Sequence, residues 1–191
     1  MSDSYLTNPV VFLVQTLFGL YTAVVVIRFL LQLTKADFYN PISQFVVKVT
    51  TPALRPLRRI IPGYRGVDLS SLALAWLLKS AELALLTVIL GLGRNPLGAL
   101  AWSIPALAAL VLNIYLFAIL IKVILSWVNP DPYNPAFGLI DKLTRPVLDP
   151  AQRMVPPVGG LDLSPMLAMI ALVLIEMLLL PPLKLLTASP F

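Results

Sequence analysis

The stretch FYNPISQFVVKVTTPALRPLRRIIPG, residues 38–63, decides the fold, because it joins two long apolar segments and then recurs. Residues 132–157 read PYNPAFGLIDKLTRPVLDPAQRMVPP, and the two stretches align without a gap at a constant offset of 94 residues. The match continues beyond both stretches and includes Asn40, Pro41, Pro52, Pro56, Asp68 and Ser70 in the first half and Asn134, Pro135, Pro146, Pro150, Asp162 and Ser164 in the second. We therefore predict one membrane domain made of two repeats, residues 1–94 and 95–191.

The composition predicts an integral membrane protein. Apolar residues make up 59% of the chain and charged residues 12%, and the mean hydropathy is +0.90, whereas charged residues approach a quarter of a soluble domain. The chain has neither cysteine nor histidine, which removes thiolate and imidazole chemistry and the usual ligands of zinc and haem. We expect no enzymatic activity and no cofactor.

Four apolar segments are long enough to cross about 30 Å of hydrocarbon, so the sequence predicts an all-α protein with four transmembrane helices. Asp68 or Ser70 is expected to cap the second helix and Ser164 the fourth, with Pro165 at its first position. Pro181-Pro182 is expected to kink or end the fourth helix. The predicted spans are Val10–Leu33, Leu69–Leu92, Ile104–Val128 and Leu163–Leu186.

The basic residues predict the orientation. They concentrate in the two connectors, at Lys48, Arg55, Arg58, Arg59 and Arg65 in the first and at Lys142, Arg145 and Arg153 in the second. By the positive-inside rule both connectors are cytoplasmic and both termini lie outside, so the two repeats enter the membrane in the same direction. Since these cations flank apolar spans, the net charge of +5 indicates anionic lipid as a partner and not nucleic acid.

The connectors themselves read as amphipathic helices. Asn-Pro pairs at 40–41 and 134–135 are typical helix starts, and apolar side chains follow at i, i+3, i+4 and i+7. Pro52 and Pro146 are expected to start a second short helix in each connector. Such a helix pair, interrupted by proline, is too short to span and is expected to lie in the cytoplasmic interface with its cations among the headgroups.

The stretch NPISQFVVKVTTPALRPLRRIIPGYRGVDLS resembles the signature of the YggT family, whose plastid relatives are called YlmG, and NPAFGLIDKLTRPVLDPAQRMVPPVGGLDLSP resembles it again. The resemblance implies a bacterial inner-membrane protein without established enzymatic activity. It also implies an association with osmotic tolerance, membrane-complex assembly and division or nucleoid placement. The second stretch departs from the first where Asp149 and Gln152 replace Arg55 and Arg58.

Five charged residues lie inside the predicted spans, apart from Lys184 at the outer end of the fourth. Arg28 and Lys122 are repeat partners near the cytoplasmic ends of their helices, where we expect them to snorkel to the interface. Glu82 and Glu176 are partners about 18 Å along their helices, too deep for a carboxylate to snorkel. Lys79 precedes Glu82 by three residues and can pair with it, whereas Glu176 has Val173 at that position.

Polar neighbours are expected around the two carboxylates. Tyr21 and Tyr115 are also repeat partners, and we hypothesise that Tyr21 hydrogen-bonds Glu82 and that Tyr115 hydrogen-bonds Glu176. Asn113, at helical depth beside Tyr115, is expected to bond a neighbouring helix for about 1 kcal/mol.

Two classes of function remain open. The first is a non-enzymatic accessory or scaffold protein that engages anionic lipid through its basic connector and other membrane proteins through its spans. The alternative is a small ion or osmolyte conduit, in which the paired midplane carboxylates carry a cation or proton. A wet cavity at the carboxylates favours the conduit, and sealed carboxylates favour the scaffold. A homo-oligomer is compatible with either.

Overall fold

The computed structural model describes residues 3–63, 66–128, 134–155 and 162–191, and every regular element within these ranges is helical. A 3-10 turn, Pro96–Gly98, precedes the fourth helix. The six α-helices are α1 (Asp3–Leu33), α2 (Pro41–Ile60), α3 (Leu69–Ile89), α4 (Ala99–Val128), α5 (Pro135–Met154) and α6 (Ser164–Thr187).

Helices α1, α3, α4 and α6 are long and apolar enough to span a membrane, which confirms the prediction of four spans. The shortest, α3, has 21 residues and is therefore about 31 Å long. Helices α1 and α4 begin several residues earlier than predicted. The first turns of α1 are polar and lie outside its apolar run, whereas α4 extends back through Pro105 to Ala99. Helix α6 continues through Pro181-Pro182 to Thr187, so the prolines do not end it. A proline costs hydrogen bonds, but its fixed φ is helical.

Each connector is one continuous helix of 20 residues, α2 or α5, with two prolines inside it, so the predicted pairs of short helices are wrong. Pro52 has no N–H to donate to the backbone carbonyl one turn earlier. Side chains donate hydrogen bonds to the two backbone carbonyls that flank this one. The Val47 carbonyl accepts bonds from Thr51 Oγ1 at 2.5 Å and from Arg28 at 3.2 Å, and the Val49 carbonyl accepts one from the Tyr21 hydroxyl at 3.4 Å.

The predicted caps are partly correct. Asn40 and Asn134 cap the two connectors by accepting bonds from the N–H groups of Ile42 and Ala136. Asp68 caps α3. Ser164 does not cap α6: its N–H donates to Asp162 Oδ1 at 2.9 Å, and its own hydroxyl is buried with no hydrogen-bond partner among the described residues.

The spans pack in the order α1, α3, α4, α6, and each connector lies against the two spans that it joins. Leu54 of α2 and Leu148 of α5, which are repeat partners, are almost fully buried in the main core beside Leu31 and Ile119. The two connectors also touch, and Asn40 Nδ2 donates to the Pro135 carbonyl at 2.6 Å. Both connectors therefore lie at the same end of the spans, as two repeats that enter the membrane in the same direction require.

Candidate functional site: the connector helices and the polar contacts of the spans

The first connector, α2, presents three different faces. Ser43, Val46, Thr50 and Leu54 are buried against the spans. A second face is apolar but uncovered: Ile42, Phe45 and Ile60 are 42%, 63% and 78% exposed, and the spacing of 3.6 residues per turn places Pro56 beside them. The third face carries the basic residues.

The basic face of α2 is formed by Lys48, Arg55 and Arg59, all exposed and without a partner among the described residues. Arg58 borders this face but donates to Asp68, and its side chain is 45% exposed. Arg65 lies outside the described residues. A helix that is buried on one side, apolar on the next and basic on the third has the form expected at a bilayer surface.

The second connector, α5, differs on both free faces. Leu139 and Leu143, the partners of Phe45 and Val49, are buried, which narrows the uncovered apolar face. Met154 remains 74% exposed. Of its cations, Lys142 and Arg153 are exposed, while Arg145 is paired with Asp141.

Arg28 is a bridge between α1 and α2 and does not snorkel, which corrects the prediction. Its side chain is only 5% exposed. Its Nη1 donates to Thr50 Oγ1 at 2.6 Å, to the Val47 carbonyl at 3.2 Å and to Thr51 Oγ1 at 3.2 Å. The guanidinium thus ties the first span to the connector beside Pro52, through the N–H groups of Nη1.

Lys122 makes the equivalent bridge from α4 to α5, but with an ionic partner. Its Nζ lies 2.8 Å from Asp141 Oδ1, and Asp141 Oδ2 accepts two bonds from Arg145. Burial raises the pKa of Asp141, but the hydrogen bonds and charges of Lys122 and Arg145 outweigh it and hold the pKa below its ordinary value. The carboxylate therefore stays ionised between two cations.

A second pair of contacts joins the end of each connector to the start of the return span. Asp68 accepts bonds from Arg58 at 2.5 Å and from the hydroxyl and N–H of Ser71, while the Ser70 hydroxyl donates to the Ile61 carbonyl. Burial raises the pKa of Asp68, but the bonds from Arg58 and Ser71 lower it more. At the matching positions Gln152 Nε2 donates to Asp162 at 3.2 Å, so a neutral amide takes the place of the arginine of the ion pair.

The Glu82 carboxylate is buried, and its hydrogen-bond partner is a lysine and not a tyrosine. The carboxylate is buried, and both of its oxygens accept bonds from Lys79 Nζ, at 2.8 and 2.9 Å. The Tyr21 hydroxyl donates instead to the Val49 carbonyl of α2. The predicted ion pair with Lys79 is therefore present, and the hypothesised Tyr21–Glu82 bond is wrong.

Glu176 lies in a different environment from Glu82. It is partly exposed and borders an open groove of about 280 Å³ lined also by Val173, Met177 and Leu180. Its polar neighbour is Asn113 of α4, whose Nδ2 is 3.5 Å from Oε1 and also donates to the Ala109 carbonyl. Asn113 thus reaches a neighbouring helix as predicted, but no hydrogen bond joins Tyr115 to Glu176 in the described part of the chain.

The two carboxylates do not share a site, since each has its own partner on its own side of the structure. No group of three or more acidic side chains that could hold a metal ion is present in residues 3–63, 66–128, 134–155 and 162–191. Sequence reasoning missed Thr50, Thr51 and Asp141 as partners of the span cations. One signal was available: Val47 and Asp141 each lie 19 residues after the cation that they contact.

These features define an α-helical multi-pass membrane protein whose spans are tied to surface helices by polar contacts. The profile of the CCB3/YggT family matches the chain twice, at residues 7–89 and 101–183, again 94 residues apart. The chain belongs to the CCB3/YggT family, which confirms the resemblance seen in its connectors.

Relatives align along almost the whole chain. The Pseudomonas aeruginosa protein PA0392 is 46% identical over 187 residues, covering 97% of this chain and 95% of its own. A Vibrio alginolyticus protein encoded in the proC 3′ region is 39% identical over 167 residues, covering 86% and 90%. Escherichia coli K12 YggT is 37% identical over 171 residues, covering 89% and 88%. No solved structure matches the chain.

Proposed function

We propose that this protein is a non-enzymatic accessory or scaffold protein of the bacterial inner membrane, with both connectors on the cytoplasmic side and both termini outside. The observation that carries the proposal is the three-faced helix α2. Its uncovered apolar face, with Phe45 and Ile60, enters the acyl boundary, and Lys48, Arg55 and Arg59 lie among anionic headgroups. Each cation near such a surface contributes about 1 kcal/mol.

The contacts of the connector support a rigid surface helix. Arg28, Tyr21 and Ser70 bind its backbone or hydroxyl groups, and Arg58 joins its end to Asp68. A helix held at so many points keeps its basic face at a fixed height and orientation. Such a surface suits the assembly of membrane complexes, in which the spans contact other membrane proteins, or a contribution to osmotic tolerance.

Lipid quenching tests this proposal. Because the chain has no cysteine, a fluorophore is attached to Phe45→Cys or Arg55→Cys in reconstituted protein. We expect brominated lipid to quench the probe at position 45 strongly and the probe at position 55 weakly. We also expect brominated phosphatidylglycerol to quench position 45 more than brominated phosphatidylcholine does.

The charge variants give the matched control. Lys48→Gln/Arg55→Gln/Arg59→Gln is expected to remove the preference for phosphatidylglycerol at position 45, because the variant loses three headgroup contacts. Lys142→Gln/Arg153→Gln, which changes the free cations of α5, is expected to retain it. Equal quenching at positions 45 and 55, or no lipid preference in the unmodified charge background, contradicts the proposal.

The ion conduit is the second candidate, favoured by one observation: Glu176 lies in the middle of α6 and borders an open groove. Against it, Glu82 is buried and neutralised by Lys79, and the groove at Glu176 is lined by apolar side chains. Cation and proton flux into liposomes, compared with a Glu82→Gln/Glu176→Gln variant, separates the two. Flux that this folded variant abolishes favours the conduit, and flux equal to that of empty liposomes favours the scaffold.

A further inference from the structure

The two repeats are joined by a helix junction between α3, the return span of the first repeat, and α4, the first span of the second. Ser80 Oγ donates to Ser103 Oγ at 3.0 Å, and Trp76 Nε1 donates to the Leu100 carbonyl at 2.9 Å. Leu83 and Trp102 are buried in the same junction. Every residue of this junction has a repeat partner 94 positions away, on α6 or on α1.

The equivalent junction between α6 and α1 is not formed within the chain. In the described ranges α3 packs extensively against both α1 and α4, whereas the extensive contacts of α6 are with α4 and α5. Two repeats related by a closed two-fold axis would place α6 against α1 as α3 lies against α4. The repeats are instead arranged head to tail, and such an arrangement leaves one half of the junction free at each end.

Both free halves are exposed and apolar. On α6 the partners of Trp76, Ser80 and Leu83 are Ile170, Leu174 and Met177, which are 50%, 52% and 68% exposed. On α1 the partners of Ser103, Leu107 and Val111 are Pro9, Leu13 and Leu17, all exposed. At each end of the row of spans there is thus an exposed apolar face whose counterpart in the middle of the row is buried or half-buried.

We propose that neighbouring chains associate in the membrane by packing α6 of one chain against α1 of the next, in the geometry of the α3–α4 junction. A second copy of this chain fits this face because the same pair of helix types already packs in this way inside the molecule. The contact is heterologous, so it propagates from chain to chain and gives a closed ring or an open row.

The contact also completes the surroundings of Glu176. The groove beside this carboxylate is walled by Val173 and Met177, and Met177 belongs to the free face of α6. A neighbouring α1 covers the groove, as helices of the same chain cover Glu82. In the register of the junction, Asn8 of the neighbouring chain, the partner of Trp102, comes to the level of Met177 and brings an amide donor near the carboxylate. A polar residue inside a span is expected to find such a partner.

Cysteine crosslinking between differently tagged chains tests the inference, and the natural chain contributes no cysteine to the background. Pro9→Cys in one chain and Leu174→Cys in the other reproduce the Ser80–Ser103 pair across the contact. In membranes that hold both chains we expect a disulfide-linked dimer carrying both tags, seen as a shift from monomer to dimer mass without reductant. Leu13→Cys with Met166→Cys, the equivalents of Leu107 and Leu72, tests a second level of the same contact.

Two controls make the outcome decisive. Ser80→Cys/Ser103→Cys in one chain is expected to form an internal disulfide without dimer, which shows that the junction geometry supports oxidation. Val10→Cys, which is 44% exposed and lies next to Pro9 on α1 but about 100° further around the helix, is expected to give no dimer with Leu174→Cys. Absence of both mixed-tag dimers while the internal disulfide forms overturns the inference. Dimers from Pro9→Cys alone or Leu174→Cys alone overturn it too, since they indicate a symmetric contact.

Discussion

The two repeats share their helix bounds residue for residue in the connectors, yet the polar contacts at matched positions use different chemistry. In the first repeat the span cation is Arg28, which binds a carbonyl and two hydroxyls of α2. In the second it is Lys122, which binds the carboxylate of Asp141, at the position of Val47. The planar guanidinium of Arg28 therefore has neutral hydrogen-bond acceptors, whereas the compact ammonium of Lys122 has an anionic one.

The same exchange occurs at two other places. Arg58 and Asp68 form an ion pair where the neutral amide of Gln152 donates to the carboxylate of Asp162. Glu82 has a lysine one turn away, while Glu176 has the amide of Asn113. The fold therefore has a contact at each of these positions but accepts more than one chemistry for it. At both places the carboxylate of the second repeat, Asp162 or Glu176, has an amide where the first repeat has a cation.

The largest effect that separates the repeats is expected from Lys79→Met. The substitution leaves Glu82 buried without its counterion, which typically costs about 3–5 kcal/mol for a buried pair. The measurement is the free energy of unfolding in lipid or mild detergent. Glu176→Gln in the second repeat is expected to cost less than about 1 kcal/mol, because it breaks only the long bond from Asn113.

The double variant Lys79→Met/Glu82→Gln controls for the loss of packing by the lysine stem. It is expected to recover most of the lost stability, since no uncompensated charge remains. If Lys79→Met is as mild as Glu176→Gln, then the ion pair with Lys79 contributes little to stability, and the contrast drawn between the two carboxylates is incorrect.

A moderate effect is expected from exchanging the two span cations. Arg28→Lys retains the charge but places its nitrogen one bond nearer the backbone than Nη1, so the bonds to the Val47 carbonyl, Thr50 and Thr51 are weakened or lost, and we expect a loss of about 2 kcal/mol from unmade bonds to a charged donor. Lys122→Arg retains a carboxylate partner and is expected to change the free energy of unfolding by less than half of that. Protease sensitivity of the connectors reports the same difference locally, with cleavage near Pro52 rising in Arg28→Lys alone.

Equal effects of the two exchanges would mean that the shape of the arginine does not matter at the proline site. The continuous helix α2 would then owe its passage through Pro52 to the threonine hydroxyls, which bond the Val46 and Val47 carbonyls. Thr51→Val separates these explanations, because it removes one hydroxyl and leaves Arg28 in place.

Much of the fold could be predicted from the sequence, because hydropathy and helix starts are local properties. The four spans follow from uninterrupted apolar runs, and Asn40-Pro41 marks the start of α2 by its own capping bond. The prediction that the helix breaks at Pro52 was wrong for a non-local reason. A proline in the sequence favours a break, and only the approach of Arg28 and Tyr21 from another helix shows why the helix continues.

The polar contacts were harder to predict than the spans. The Lys79–Glu82 pair was predictable because the two residues are three apart on one helix. The Tyr21–Glu82 bond was inferred from equal depth alone, and depth does not determine which way a side chain points around a helix. Asp141 and Thr50 were missed because their partners lie about twenty residues away on another element, where helical periodicity predicts no contact; the 19-residue offset that recurs in both repeats was the signal available.

The smallest effect is expected from Arg58→Gln, which gives the first repeat the contact of the second. The ordinary pKa of an aspartate is 3.8, and Asp68 titrates below it because the bonds from Arg58 and Ser71 outweigh burial. A depressed pKa stabilises the folded state above the unfolded pKa, and this stabilisation disappears as the pH falls through the folded pKa. Since Arg58 is about half exposed, its contribution to the free energy of unfolding is about 1 kcal/mol or less.

The difference in the free energy of unfolding between wild type and Arg58→Gln is therefore expected to be constant near neutral pH and to shrink below pH 3.8. Gln152→Arg, the reverse exchange, is expected to stabilise slightly, and this gain is also expected to be lost as the pH falls through the pKa of Asp162. A pH-independent difference in both variants would show that Arg58 acts through packing rather than through the charge of Asp68.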